Sequence, residues 1–256
     1  MKSLPFITIV MPCYNGERFL RKSLDAFVKQ EYINKQLVIV DGKSTDESHK
    51  IISEFISKGY PIVWDKTPDS GISNAINIGL RHFKNEDIFA YLGSDDILLP
   101  NVLSQIANFF DVAEDIDGLY CDSYSYLGEI GQLNYRKCPT SNFCLANLLK
   151  FGTIAGLQNI YIKGGLVQAN GFDEDNKYSM DYDLYIKLFN NKLLNFTYIP
   201  IPSTINMMYG NLSTKFVIEG GFEATKSAIK QVGYKPCLIY RMILLKFAKI
   251  RMQLNK

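Results

Sequence analysis

The feature that most constrains this chain is the alternation, through its first half, of continuous β-rich runs with amphipathic stretches. Phe6-Ile-Thr-Ile-Val-Met11, Leu37-Val-Ile-Val40, Ile62-Val-Trp64, Ile88-Phe-Ala-Tyr-Leu92 and Leu119-Tyr-Cys121 read as five strands. Between them Leu20, Leu24, Phe27 and Val28 recur at helical spacing, and so do Ile51, Ile52, Phe55 and Ile56. Residues 72–83 and 102–110 also read as helices, and Ser44-Thr-Asp-Glu47 has the pattern of a capping box. Strands and helices alternating every ~20 to 25 residues imply right-handed βαβ units: an α/β, Rossmann-like, mostly parallel central sheet flanked by helices.

The second half changes character. Residues 120–137 carry Tyr, Ser and Gly with weak alternation and read as a ribbon or loop. Residues 143–150 read as a short helix, Gln158-Asn-Ile-Tyr-Ile162 as a strand, and residues 181–189 as a helix with its acids at the N-terminal end. Residues 196–205 are extended but interrupted by Pro200 and Pro202; residues 219–232 and a basic C-terminal stretch are helical. A mixed second half added to the same sheet fits this pattern better than an independent domain.

In open parallel sheets, ligands bind beyond the carboxyl ends of the strands. Here those ends are Pro12-Cys-Tyr-Asn-Gly16, Asp41-Gly-Lys-Ser-Thr-Asp46 and Gly93-Ser-Asp-Asp96. Polar loops are ordinary, but three on one edge mark a site, because clustered carboxylates repel unless a cation or ligand offsets them. Adjacent Asp95 and Asp96 offer hard oxygen ligands for Mn2+ or Mg2+, ions that commonly bridge to substrate phosphates, so a nucleoside diphosphate is the natural partner. The competing reading is that they cap a helix beginning near Pro100. No G-x-x-x-x-G-K-[ST] or G-x-G-x-x-G loop is present.

Composition removes other classes. With 28 basic and 26 acidic residues the net charge is +2, which disfavours nucleic acid as a partner. Five cysteines without a C-x-x-C pair disfavour zinc ribbons, thioredoxin chemistry and disulfide frameworks, and fit a reducing compartment. His49 and His82 are the only histidines. The apolar run before Tyr14-Asn15-Gly16 lacks a cleavage site and reads as a strand, not a signal peptide. No stretch reaches the ~18 apolar residues of a membrane span, so a cytoplasmic location is expected.

Ile7-Thr-Ile-Val-Met-Pro-Cys-Tyr-Asn-Gly16, Val40-Asp-Gly-Lys-Ser-Thr-Asp46, Asp69-Ser-Gly-Ile-Ser-Asn-Ala-Ile-Asn-Ile-Gly79, Ser94-Asp-Asp96 and Asp181-Tyr-Asp-Leu184 together resemble a family 2 glycosyltransferase. The resemblance covers residues 6 to about 205, and it is similar to bacterial enzymes of O-antigen and capsule repeat-unit synthesis. It implies the A-type glycosyltransferase fold and a nucleotide-sugar donor. It assigns Pro12, Tyr14, Asn15 and Asp41 to the nucleobase and ribose, and Asp69 and Asn74 to the stretch beside base and diphosphate. Ser94, Asp95 and Asp96 match the D-x-D motif with its first Asp replaced by Ser94; Asp96 is the expected metal ligand and Asp95 the ribose or metal-water contact. Asn74 and Ile78 stand where Asp and Lys are common in the family. Asp181 matches the catalytic base, which takes the acceptor hydroxyl proton in an inverting transfer. Asp183, two residues on, faces another way; a helix-capping role is the competing reading of Asp181. Gln158, Tyr185 and Tyr209 are expected on the acceptor side.

The implied organisation is a catalytic domain over residues 1–210, with a nucleotide-binding half to about 122 and an acceptor-binding half from about 123, followed by C-terminal helices over 211–256. The implied reaction moves a hexose from a UDP-sugar to a sugar on an undecaprenyl-diphosphate carrier. Two alternatives are a non-catalytic sugar-nucleotide-binding module and a nucleotidyltransferase; the latter needs a basic phosphate loop, which Pro12 to Gly16 does not supply.

Residues 233–256 hold six of the 28 basic residues and none of the 26 acids, so residues 1–232 carry four more acids than bases. Ile239, Ile243, Phe247, Ile250 and Leu254 form one stripe at helical spacing, with Arg241, Lys246, Lys249 and Lys256 roughly opposite. This resembles an interfacial helix on the inner face of an anionic membrane; the competing reading is a core-packing or homodimer-forming helix.

Overall fold

Every residue of β1 (Ile7–Pro12) from Ile7 to Met11 is fully buried, as the continuous apolar run requires. It is flanked in parallel by β2 (Lys35–Val40) and β4 (Ile88–Tyr91), and β3 (Ile62–Asp65) extends the parallel set beyond β2. Successive side chains leave opposite faces of a strand. Ile7, Ile9 and Met11 pack with Leu20, Leu24 and Phe27 of α1 (Leu20–Val28) and with Ile52 and Phe55 of α2 (Ser48–Ser57). Val10 points to the other face, toward Ile76 of α3 (Ile72–Gly79). A Cβ at Gly79 would lie 2.6 Å from Val10 Cγ1, so the glycine is what lets α3 seat this closely on β1. Covering both faces explains why these strands read as unbroken apolar runs.

The computed structural model describes residues 4–113, 115–128, 130–190, 192–208 and 216–254. After β4 come β5 (Ile97–Leu98), α4 (Val102–Val112), β6 (Gly118–Leu127), β7 (Gln132–Arg136), α5 (Leu145–Phe151), β8 (Ile160–Lys163), α6 (Gly164–Asn170), α7 (Met180–Asn190), β9 (Phe196–Met207), α8 (Val217–Val232) and α9 (Pro236–Leu254). The strands form one nine-stranded sheet in the order β3-β2-β1-β4-β8-β6-β9-β5, with β7 paired to β6. Since β8 runs antiparallel to both β4 and β6 while β9 runs parallel to β6, the second half is mixed and shares the sheet of the first, as expected.

Several boundaries differ from the sequence expectation for identifiable reasons. Residues 120–137 are a β6–β7 hairpin. Pro200 and Pro202 do not end β9; the pairing shifts register around Asp122, which accommodates residues lacking an N–H. The strand expected from Gln158 begins at Ile160, after a 3₁₀ turn over Leu157–Asn159. β5 and α6 were not foreseen, being too short for periodicity to show. Ser44 to Glu47 do not form a capping box: α2 starts at Ser48 without a side-chain cap, because Ser44 is turned toward the β1 loop. Asp95 and Asp96 do not cap α4, whose N-cap is Asn101.

Candidate active site

The loops after β1 and β2 are joined residue by residue. Asn15 takes a left-handed conformation (φ 50°), its N–H donates to Ser44 Oγ at 2.8 Å, and its carboxamide oxygen accepts from Thr45 N at 2.9 Å. Gly16 N donates to Ser48 Oγ, and Glu17 N to Asp46. Asn15 is thus a brace between two sheet-edge loops, and exposed Tyr14 is left pointing outward beside it. Asp41 is completely buried; its Oδ1 accepts the amides of Lys43 and Ser44 and faces His49 at 3.3 Å, while its Oδ2 has no partner. Around it, the Trp64 indole donates to the Asp41 carbonyl, packs against the His49 ring at 5.0 Å, and carries Lys66 Nζ 3.9 Å above its own ring. Burial and the neighbouring Asp41 charge push the Cys13 thiol up to about 12, so it stays an unreactive thiol.

From there the site continues to the end of β4. A Cβ at Gly16 would lie 3.3 Å from Ser94 Oγ, so the Ser94 side chain packs against the loop after β1. Asp95 and Asp96 instead converge over Gly93, each placing a carboxylate oxygen 2.8 Å from where a Cβ would stand. Asp96 is nearly buried and accepts the Met207 amide of β9 at 3.1 Å. Burial, then the charge of Asp95, raises Asp96 to about 7; burial also raises Asp95.

Asp181 enters from the first turn of α7. Burial pushes it up to about 6, and Tyr182 N–H donates to it at 2.7 Å, so it does satisfy one helix-end amide, as the capping reading required. Burial pushes the Tyr91 phenol far up, and the charges of Asp96, Asp95 and Asp181 add to it, so three carboxylates from two chain segments lie near enough to act on one phenol. Asp183 is spent elsewhere, on Lys187 at 2.7 Å and on Ser227 and Gln231 of α8.

Asp69 and Asn74 lie at the start of α3, where they close the turn: Asp69 accepts from Gly71 N and Asn74 from Ser70 N. Asn77 and Ser73 of the same helix hold Phe172 and Asn176, at the two ends of the segment that leads to α7. Tyr185 does not face an acceptor; it is fully buried, with its hydroxyl on the Ala155 carbonyl. Gln158 lies against Gly156, and Tyr209 is outside the described residues.

One positioning residue had no signal in the sequence. Glu223 of α8 accepts the backbone amides of Lys177, Tyr178 and Ser179, the three residues before α7, at 2.6–3.1 Å. Small displacements of reacting groups lower rates steeply. Glu223→Ala is therefore expected to lower kcat about 10-fold or more with the donor KM within about twofold, and Glu223→Gln, retaining one acceptor oxygen, to recover part of it. Steady-state kinetics on both variants check this; equal loss in both, or a change in KM alone, would oppose it.

The chain matches the glycosyl transferase family 2 model over residues 8–164, more than half its length. It belongs to that family. An uncharacterised glycosyltransferase of Rickettsia prowazekii is 28% identical over 192 residues, covering 72% of this chain and 59% of that protein, so this chain spans about three-fifths of that relative. S. aureus TarS in complex with UDP-GlcNAc superposes with a TM-score of 0.68 at 17% identity, covering 88% of this chain and 67% of that one. The mannosyltransferase PcManGT of Pyrobaculum calidifontis, in complex with GDP-Man and Mn2+, gives 0.67 at 17% identity, covering 95% and 70%. These likenesses place this family 2 chain in the A-type glycosyltransferase fold.

The acids of this family member fit a divalent ion in part. Among the described residues no group of three or more His, Cys, Asp or Glu side chains could hold a metal. Asp95 and Asp96, converging over Gly93 with Asp96 the buried one of the pair, would nevertheless supply two oxygen donors to an Mn2+ or Mg2+ that completes its shell with water and substrate phosphate.

Proposed function

We propose that this protein is an inverting, metal-dependent hexosyltransferase. It moves the sugar of a UDP-sugar to a sugar carried on undecaprenyl diphosphate, at the inner face of the cytoplasmic membrane, in O-antigen or capsule synthesis. The observation that carries the reading is the convergence of Asp95 and Asp96 over Gly93, at the same sheet edge as the braced loops after β1 and β2, with Asp181 near enough to act on the Tyr91 phenol that both also reach. Family membership and neighbours solved with UDP-GlcNAc, and with GDP-Man and Mn2+, support a nucleotide-sugar donor.

In this reading the loops after β1 and β2 hold the nucleoside, and Asp41, at the end of β2, is the carboxylate assigned to its ring N–H. An ion bound by Asp96, with Asp95 beside it, would stabilise the charge on the departing diphosphate. The acceptor oxygen attacks the anomeric carbon, the bond from that carbon to the diphosphate breaks, and Asp181 takes the hydroxyl proton. Its carboxyl, at about 6, is mostly ionised at neutral pH and so free to receive that proton.

The C-terminal helix supports the membrane part of the reading. Ile239, Ile243, Phe247 and Ile250 of the expected stripe are all about half exposed, while Leu238 is buried and Leu245 seats against Gly221 of α8. The stripe therefore does not serve the core. Arg241 departs from the expectation of a solvated basic face: it turns inward onto the Tyr182 hydroxyl and the Leu149 carbonyl. The side chains of Leu254 and Lys256 lie outside the described residues. No described helix is long and apolar enough to cross a membrane.

The test is a panel of UDP-sugars with synthetic lipid-diphosphate-linked sugar acceptors and Mn2+, followed by linkage analysis. One UDP-sugar should be consumed, with inverted anomeric configuration in the product. Donor binding without transfer or hydrolysis would favour a binding module, and turnover of GDP-mannose alone would overturn the donor assignment.

A further inference from the structure

Helices α5 and α9 do not close completely on one another. Between them lies an open groove of about 610 Å³, within the range of small-molecule sites. Its walls include Leu149, Pro236, Tyr240 and Leu244, and three cations, Lys150, Lys235 and Arg241, stand along it. No acid lines it, and the chain from residue 233 onward contains none. Arg241 is already committed to Leu149 and Tyr182, whereas Lys150, whose ammonium lies 4.9 Å from the Phe151 ring centre, and Lys235 are exposed and carry no ion pair with an acid among the described residues.

We propose that this groove binds the polyprenyl diphosphate portion of the lipid-linked acceptor, with the chain along the apolar walls and the diphosphate at Lys150 and Lys235. The inference rests on the lipid-linked acceptor of the proposed function and adds to it a site and its ligands. Charge complementarity selects the occupant: apolar walls with clustered cations and no acid fit an anionic amphiphile, not a neutral lipid or a peptide of mixed charge. Position separates a diphosphate carrier from bulk phospholipid. Arg241, in the groove, bonds the hydroxyl of Tyr182, the residue after Asp181, so one lining residue of the groove is joined directly to the helix that carries the base. Tyr240 and Leu244 of the groove also continue into the exposed face of α9, giving a chain in a bilayer an apolar way in.

The probe is farnesyl diphosphate, titrated calorimetrically into the full chain, with farnesol and inorganic diphosphate as the two halves of the ligand. Farnesyl diphosphate should bind at least tenfold tighter than either half. The double variant Lys150→Ala/Lys235→Ala and the groove-filling Ala146→Trp should each weaken it at least tenfold, with melting temperatures confirming that both remain folded. Inorganic diphosphate binding as tightly as the prenyl compound, or unchanged affinity in both variants, would overturn the site. Equal competition by phosphatidylglycerol vesicles would overturn the diphosphate carrier in favour of a general lipid surface. Binding is read without turnover, so a wild-type chain inactive on every UDP-sugar would count against the proposed function while the titration still decides the groove.

Discussion

Asp181→Asn is expected to lower turnover by about 10²–10⁴-fold, the contribution of a positioned general base, while donor affinity stays near wild type. The variant retains the shape and the acceptor oxygen for Tyr182 N–H but cannot take a proton. The wild-type pH profile should carry the same signature. Burial holds the Asp181 carboxyl at about 6, so kcat/KM should fall roughly tenfold per pH unit below that value and level off above it. Stability should move the opposite way. The folded-state value lies above the ordinary carboxyl value, so the folded protein holds this proton more tightly than the unfolded chain. The native state therefore loses stability as pH rises from about 4 through 6. A shift of about two units corresponds to at most ~3 kcal/mol, reduced by the residual solvent contact of this side chain. Asn at 181 should therefore stabilise the protein by about 1–2 kcal/mol at pH 7.5, with the gain disappearing toward pH 4. Urea denaturation at the two pH values reads this directly. Near-normal turnover in the variant would remove Asp181 from the base role.

Chelation by EDTA is expected to stop transfer, and Asp96→Asn to lower it about 10³-fold at saturating Mn2+, since metal stabilisation of a leaving diphosphate is worth several kcal/mol and each 1.4 kcal/mol is a factor of ten. Asp95→Asn should cost less, because Asp96 is the more deeply placed of the pair and is aimed by the Met207 amide. Replenishing Mn2+ or Mg2+ in the chelated wild type should restore activity. Full turnover in EDTA, with Asp96→Asn unimpaired, would show that this chain runs without a metal. That outcome has a structural opening, since Ser94 replaces the first acid of the motif and turns toward Gly16.

The strands β1 to β4 and helices α1 to α4 were readable in the sequence because each is a local period: burial on both sheet faces forces unbroken apolar runs, and a one-sided helix forces the 3.6-residue repeat. The sheet-edge acids were readable because parallel topology fixes where strand ends point. The capping box failed because Ser44 had a better partner 29 residues away, in Asn15. Tyr185 failed as an acceptor contact because seven of eleven α7 residues are buried, a fact that no local pattern on a helix this apolar could show.

The sequence by itself determined the parallel frame, the carboxyl-edge clustering of acids and the separation of an acidic body from a basic tail. These depend on composition and spacing within one element or one βαβ unit. Only the tertiary structure decided that the charges of Asp95, Asp96 and Asp181 all reach Tyr91, that Glu223 fixes the approach to α7, and that Arg241 turns inward while the apolar stripe of α9 faces out. Each of these joins groups about 40 to 90 residues apart. Their pairing is set by how helices seat on a shared sheet and on one another, and side-chain spacing along the chain carries no record of that.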